Sequence, residues 1–200
     1  MKKTVVFGGT FNPFHLGHLK LMKEVINTVS PDRFILMPDH LPPHKVAEEL
    51  VDDIDRLEMC RLAAKDMPIV EVSDFEIVSG GKSYTVLTLE HLHGLYPDDD
   101  LYFAMGSDML LTFLNWYKPD RIMELAAIVC NCRDESDAMA IETAKAEIEA
   151  RGGRCILTEC NPLVCSSTQV RERINRGEPI TDLVPAAVAE YINRKGLYSG

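Results

Sequence analysis

The chain has 200 residues, 46% of them apolar and 26% charged, enough to build one core without disulfide or metal staples. Its formal charge of −10 excludes a broad nucleic-acid or anionic-membrane surface, which needs a positive field, but leaves room for a small anion held by a few donors. No apolar run reaches the roughly 18 residues of a spanning helix, and Gly8-Gly9 cuts the run after Lys2-Lys3 too short for a leader, so a cytoplasmic protein is expected.

Short β-branched or aromatic runs alternate with segments of 3.6-residue period. Residues 4–7 read as a first strand, followed by a helix from about Gly17 with Leu19, Met22, Val25, Ile26 and Val29 on one face. Residues 33–37 form a strand closed by Pro38, and 52–66 a helix with Ile54, Leu57 and Cys60 inward. A strand over 69–72, a helix over 85–95 and a strand over 101–105 come next. A short helix near Asp108 precedes a helix over 119–126 and a strand over 127–130. Residues 136–151 read as an exposed helix and 154–157 as a strand, and helices over 167–176 and 185–195 follow. This alternation predicts parallel strands with right-handed crossovers, hence a single-domain α/β doubly wound sheet spanning 1–200, with ligands at the strands' carboxyl ends. Oligomeric state is left open.

Gly8-Gly9-Thr10-Phe11-Asn12-Pro13-Phe14-His15-Leu16-Gly17-His18 falls at such an end. The glycines are expected to let the backbone turn sharply and come close to a ligand. The helix start offers free N–H groups and a positive dipole end, and two histidines three apart can face one anion together. Two familiar phosphate motifs do not apply: no Gly-x-Gly-x-x-Gly lies in this stretch, and Gly81-Lys82-Ser83 has Glu76 where a P-loop needs its first glycine. That fragment reads as a turn into the next helix. The six cysteines, at 60, 130, 132, 155, 160 and 165, read as reduced thiols. A zinc set of Cys130, Cys132, Cys155 and Cys160 lacks the usual Cys-x2-Cys spacing.

The opening motif resembles the HxGH signature of the nucleotidyltransferase superfamily, which uses a Rossmann-like fold to move AMP or CMP from a nucleoside triphosphate. Further stretches are Pro42-Pro43-His44-Lys45, Ser83-Tyr84-Thr85, Gly106-Ser107-Asp108 with Trp116-Tyr117, and Ser166-Ser167-Thr168-Gln169-Val170-Arg171. In this order they resemble the bacterial nicotinate-nucleotide adenylyltransferase family along essentially the whole chain. The one departure is Cys165, where a β-branched residue usually precedes the serine-threonine motif.

The resemblance implies ATP and nicotinate mononucleotide as partners, Mg²⁺ travelling with ATP, and no protein-held metal. It implies His15 and His18 as catalytic donors, with Gly8, Gly9, Thr10, Phe11, Gly106 and Asp108 holding ATP. Ser166, Ser167, Thr168 and Arg171 would meet the β- and γ-phosphates: a capped helix start carries N–H groups and hydroxyls, and Arg171 adds a cationic fork. Lys45, Thr85, Trp116 and Tyr117 would hold the mononucleotide, Trp116 by stacking on the pyridine ring. Arg56, in the acidic run Asp52-Asp53-Ile54-Asp55-Arg56, reads as structural or loop-anchoring instead. Other acceptors, such as nicotinamide mononucleotide or phosphopantetheine, and a non-catalytic nucleotide-binding module are the alternatives.

Overall fold

The computed structural model describes residues 1–42, 50–131, 138–159 and 165–199. Among these, β1 (Lys3–Gly9), β2 (Arg33–Pro38), β3 (Val70–Val72), β4 (Asp100–Gly106), β5 (Ala126–Asn131) and β6 (Cys155–Leu157) form one parallel sheet. The spatial order is β3-β2-β1-β4-β5-β6. This is the expected Rossmann-like doubly wound α/β sheet. Its strand order reverses between β1 and β4, so their carboxyl ends at Gly9 and Gly106 flank the crevice where such sheets bind ligands.

Side chains alternate along each strand, and both faces are covered, so the strands are apolar on both sides. Val5, Phe7, Phe34 and Leu36 pack with α1 (Leu16–Val29), α2 (Asp53–Ala64), α8 (Ser167–Asn175) and α9 (Ala186–Lys195). Val6, Ile35, Met37, Leu101 and Phe103 pack on the other face with α4 (Thr85–Leu95), α6 (Pro119–Leu125) and α7 (Ala138–Ala150). α5 (Ser107–Leu110) follows β4 without a break, and α3 (Phe75–Ser79), a five-residue helix that periodicity is too short to reveal, follows β3.

The expected elements stand within a few residues of their predicted bounds, with two instructive differences. Gly8 and Gly9 continue β1 instead of breaking out of it, and neither has a positive φ. In α2, Ile54 is 75% exposed, whereas Arg56 is fully buried with Leu57 and Cys60. At 100° per residue, turning Arg56 inward carries Ile54 about 200° round the helix, to the solvent side.

The reason for that rotation lies in what Arg56 touches. One guanidinium nitrogen donates to the Thr10 carbonyl at 2.7 Å and to Asp39 Oδ1 at 3.0 Å. The other donates to the carbonyls of Asp39 and His40 and to Asp53 Oδ1. Arg56 thus anchors the ends of β1 and β2, the loop-holding role read from the sequence. Removing one partner of a buried ion pair strands the other charge, at a cost of about 3–5 kcal/mol. Arg56→Ala is therefore expected to lower the stability measured by urea unfolding by that much, with little change in m. Adding Asp39→Asn should recover part of the loss, because the stranded carboxylate is then gone.

Candidate active site

The chain leaves β1 through a tight turn whose unusual backbone falls on Phe11, at φ 48°, and not on the glycines. Phe11 is buried, and its ring lies over Gly9, where a Cβ would meet ring carbons at 2.9 and 3.0 Å. Gly9 is thus required for packing. The ring also stands edge-on to Phe7 and His18, with centroids 5.3 and 4.9 Å away. This corrects the expectation that the glycines make the turn: a phenylalanine makes it and a glycine accommodates its ring.

α1 begins directly after His15, whose side chain is 3% exposed. The backbone N–H of His15 donates to His18 Nδ1 at 3.2 Å, and the two rings stack at 3.6 Å. Because Nδ1 accepts, a neutral His18 carries its proton on Nε2 and can donate from there. Of the two histidines, His18 lines the cavity at the strand ends, while His15 stacks on its ring. Gly17 is held small from two sides, since a Cβ there would meet His15 ring atoms at 2.9 Å and the Cys165 carbonyl at 3.2 Å.

That cavity gathers most of the residues expected at the site. Gly8, Gly9, Thr10 and Phe11 line it from β1, Gly106 and Asp108 from the end of β4, and Ser167 from α8. Thr85 at the start of α4 lines its other end with Trp116 and Tyr117. The first N–H groups of α4 have no intrahelical acceptor, so they are available to an anion. Trp116 stands edge-on to Phe103 and Phe113, and Tyr117 packs beside Tyr84 while remaining 49% exposed.

Ser166, Thr168 and Arg171 flank Ser167 in α8 and its cap without themselves being among the lining residues. Ser166 caps α8 by accepting from the Gln169 N–H at 3.1 Å. Ser167 Oγ donates to the Pro13 carbonyl at 3.0 Å, and Arg171 to the Asn12 carbonyl at 2.8 Å. Tyr198 donates to Asn12 Oδ1 at 2.8 Å. The α8 start is thereby fastened to the loop that carries the histidines.

Two acidic residues in the cavity were not anticipated as site residues. Asp39, at the carboxyl end of β2, accepts from Thr10 Oγ1 at 2.9 Å and from Arg56. Glu76, in the first turn of α3, is buried and accepts from Thr88 Oγ1. Burial pushes its carboxyl up to about 7, against the pull of hydrogen bonds from Thr88 and Ser83. An acidic residue inside the apolar run Phe75-Glu76-Ile77-Val78 was the available signal. Gly81-Lys82-Ser83 is a turn: Gly80 and Gly81 have φ of 66° and 72°, and Ser83 Oγ accepts from the His40 N–H at 3.0 Å.

Lys45 lies outside the described residues, as do Cys132 and Cys160 of the four cysteines weighed as a zinc set. Cys60, Cys130, Cys155 and Cys165 are reduced thiols, and among the described residues no three of His, Cys, Asp and Glu gather into a metal-holding group. The histidine geometry makes a prediction independent of any reaction. Long-range ¹H–¹⁵N spectra should show His18 as its Nε2–H tautomer, and Gly17→Ala, by displacing the His15 ring, should replace this with a mixture.

The Cytidylyltransferase-like family model matches residues 6–173. A relative from Clostridium tetani, described as a "probable nicotinate-nucleotide adenylyltransferase", is 38% identical over 99% of this chain and 100% of its own length. A relative from Caldicellulosiruptor bescii with the same description is 36% identical over 98% of each chain. The fold also matches the solved Plasmodium falciparum nicotinic acid mononucleotide adenylyltransferase complexed with NaAD, with a TM-score of 0.78 over 99% of this chain and 98% of that one, at 18% identity. With its HxGH loop at the switch point of the sheet, the chain belongs to the nicotinate-nucleotide adenylyltransferase family of nucleotidyltransferases.

Proposed function

We propose that this enzyme transfers AMP from ATP to nicotinate mononucleotide, releasing pyrophosphate and forming nicotinate adenine dinucleotide, a step of NAD synthesis. The observation that carries the reading is one continuous cavity. It runs from His18 and the β1 end, where a triphosphate fits, to Thr85, Trp116 and Tyr117, where a pyridine ring fits.

The acceptor's phosphate attacks the α-phosphorus of ATP. A phosphate monoester with a second pKa of about 6 is largely dianionic at pH 7, so no general base is needed. The protein must instead align two anions and stabilise charge growing on the α-phosphate and the leaving group. His18 suits this as an Nε2–H donor, held ready by the hydrogen bond at its Nδ1, and His15 supports it from behind. Gly8, Gly9, Thr10 and Phe11 present backbone to the triphosphate, and Asp108 accepts from ribose hydroxyls. Ser166, Ser167, Thr168 and Arg171 receive the β- and γ-phosphates, and Gly106 leaves room beside the nucleotide. Thr85 and Tyr117 offer backbone N–H groups to the ring carboxylate, Trp116 stacks on the ring, and Lys45 pairs with the mononucleotide phosphate. Mg²⁺ arriving with ATP would be held by phosphate oxygens and water and would supply charge neutralisation for the triphosphate. A cytoplasmic setting accords with the free thiols of Cys60, Cys130, Cys155 and Cys165.

Pyrophosphate release from ATP should depend on added nicotinate mononucleotide, be much weaker with the amide, and be absent with phosphopantetheine. Equal rates without any acceptor, or a preference for phosphopantetheine, would refute the assignment. His18→Ala should lower kcat by a factor on the order of 10² to 10³, as for loss of one preorganised donor. A near-normal kcat would remove His18 from the mechanism.

A further inference from the structure

The pyridine end of the cavity holds an unexpected group for a site that accepts an acid. Glu76 lines it together with Ser83, Tyr84 and Thr85, and its side chain is nearly enclosed. If that carboxyl is ionised, a ring carboxylate bound at Thr85 and Tyr117 approaches a second negative charge in a partly dry space, where repulsion is poorly screened.

Among the described residues, the surroundings offer Glu76 no compensating cation. From α4, Thr88 donates to it, and His91, one turn on, is occupied in stacking on Phe75 at 3.7 Å. From the end of β2 it faces Asp39, whose charge adds to the problem and is itself matched by Arg56 of α2 at 3.0 Å. Lys82, in the turn before α4, is exposed, and His18 and Asp108 stand elsewhere on the cavity wall. Two hydroxyls, from Thr88 and Ser83, are the groups that favour the ionised form.

We propose that Glu76 takes up one proton from solvent when the ring carboxylate of the acid mononucleotide binds, so that acid-versus-amide selectivity is set by the protonation state of this side chain. A neutral carboxyl removes the repulsion and can donate its O–H to the incoming carboxylate. The ionised form can only accept, which suits the NH₂ of an amide ring. The free group, held near 7 by burial, sits where a bound anion can tip it at ordinary pH. This deepens the substrate reading above and rests on it.

The linkage has a definite sign. If acid binding requires the protonated form, the affinity falls as pH rises above about 7, by at most about tenfold per unit for one proton. Wild-type KM for nicotinate mononucleotide should therefore climb between pH 7 and 9, while KM for nicotinamide mononucleotide does not. Glu76→Gln, a neutral isostere, should flatten the profile and bind the acid more tightly than wild type at pH 8.5. Calorimetry in two buffers of different ionisation enthalpy should show extra proton uptake for the acid over the amide near pH 8. Both ligands carry the same phosphate, so its titration cancels in the difference, and the extra uptake should vanish in Glu76→Gln. Thr88→Val, which removes a donor to the ionised form, should move the onset of the KM rise to higher pH. Equal proton uptake for acid and amide in wild type, a slope that survives Glu76→Gln, or loss of acid binding at every pH in that variant would overturn the proposal. Failure of the substrate reading looks different: wild type would bind neither mononucleotide and release no pyrophosphate, and this inference would fall with it.

Discussion

The Arg56 guanidinium is the fastening on which the site depends. A parallel sheet leaves its strand ends as separate loops, and the ladder hydrogen bonds do not set the distance between the loop after β1 and the loop after β2. A buried cation sets it, because a desolvated guanidinium is tolerable only when most of its charge is met by acceptors, and here both terminal nitrogens are met. Here the matches come from Thr10 after β1, Asp39 and His40 after β2, and Asp53 of α2, so these segments must converge on one point. The same requirement turns Ile54 to solvent.

An enzyme of formal charge −10 that handles two anionic substrates relies on local donors instead of a general positive field. Arg56 is committed to carboxylates and carbonyls and adds little to the cavity's own potential. Among the described residues, the cavity wall includes the start of α4, with its free N–H groups, and the His18 side chain. Such donors need little reorganisation when charge builds in the transition state.

Much of this was legible in the sequence because it is written in short-range code. The apolar runs give the strands, their alternation with helices gives the parallel order, and the motif between Gly8 and His18 marks the strand end that lines the cavity. Three things were not legible, each for a physical reason. The positive φ at Phe11 and its ring over Gly9 depend on packing around the loop, so the glycines looked like the turn itself. The inward face of α2 was chosen by a buried polar contact 17 positions upstream in Asp39, which outweighs a weak apolar pattern. Glu76 meets Thr88 and Ser83 only once α3 and α4 pack together, so in sequence it stood out merely as a glycine that was missing.

The tethers from α8 and Tyr198 to Asn12 and Pro13 span very long stretches of chain. Arg171 is 159 positions from its acceptor and Tyr198 is 186 from the same asparagine. Closing such loops carries an entropy cost that grows only slowly with length, so the bonds are affordable at equilibrium. They are also late. During synthesis, which proceeds at about 5–20 residues per second, the histidine loop leaves the ribosome early and waits for segments more than 150 positions downstream before its far wall exists. A sheet can assemble in that interval before α8 is in place, so the cavity that His18 and Ser167 line together is closed only after residues beyond 167 have folded, and not by the first folded half alone.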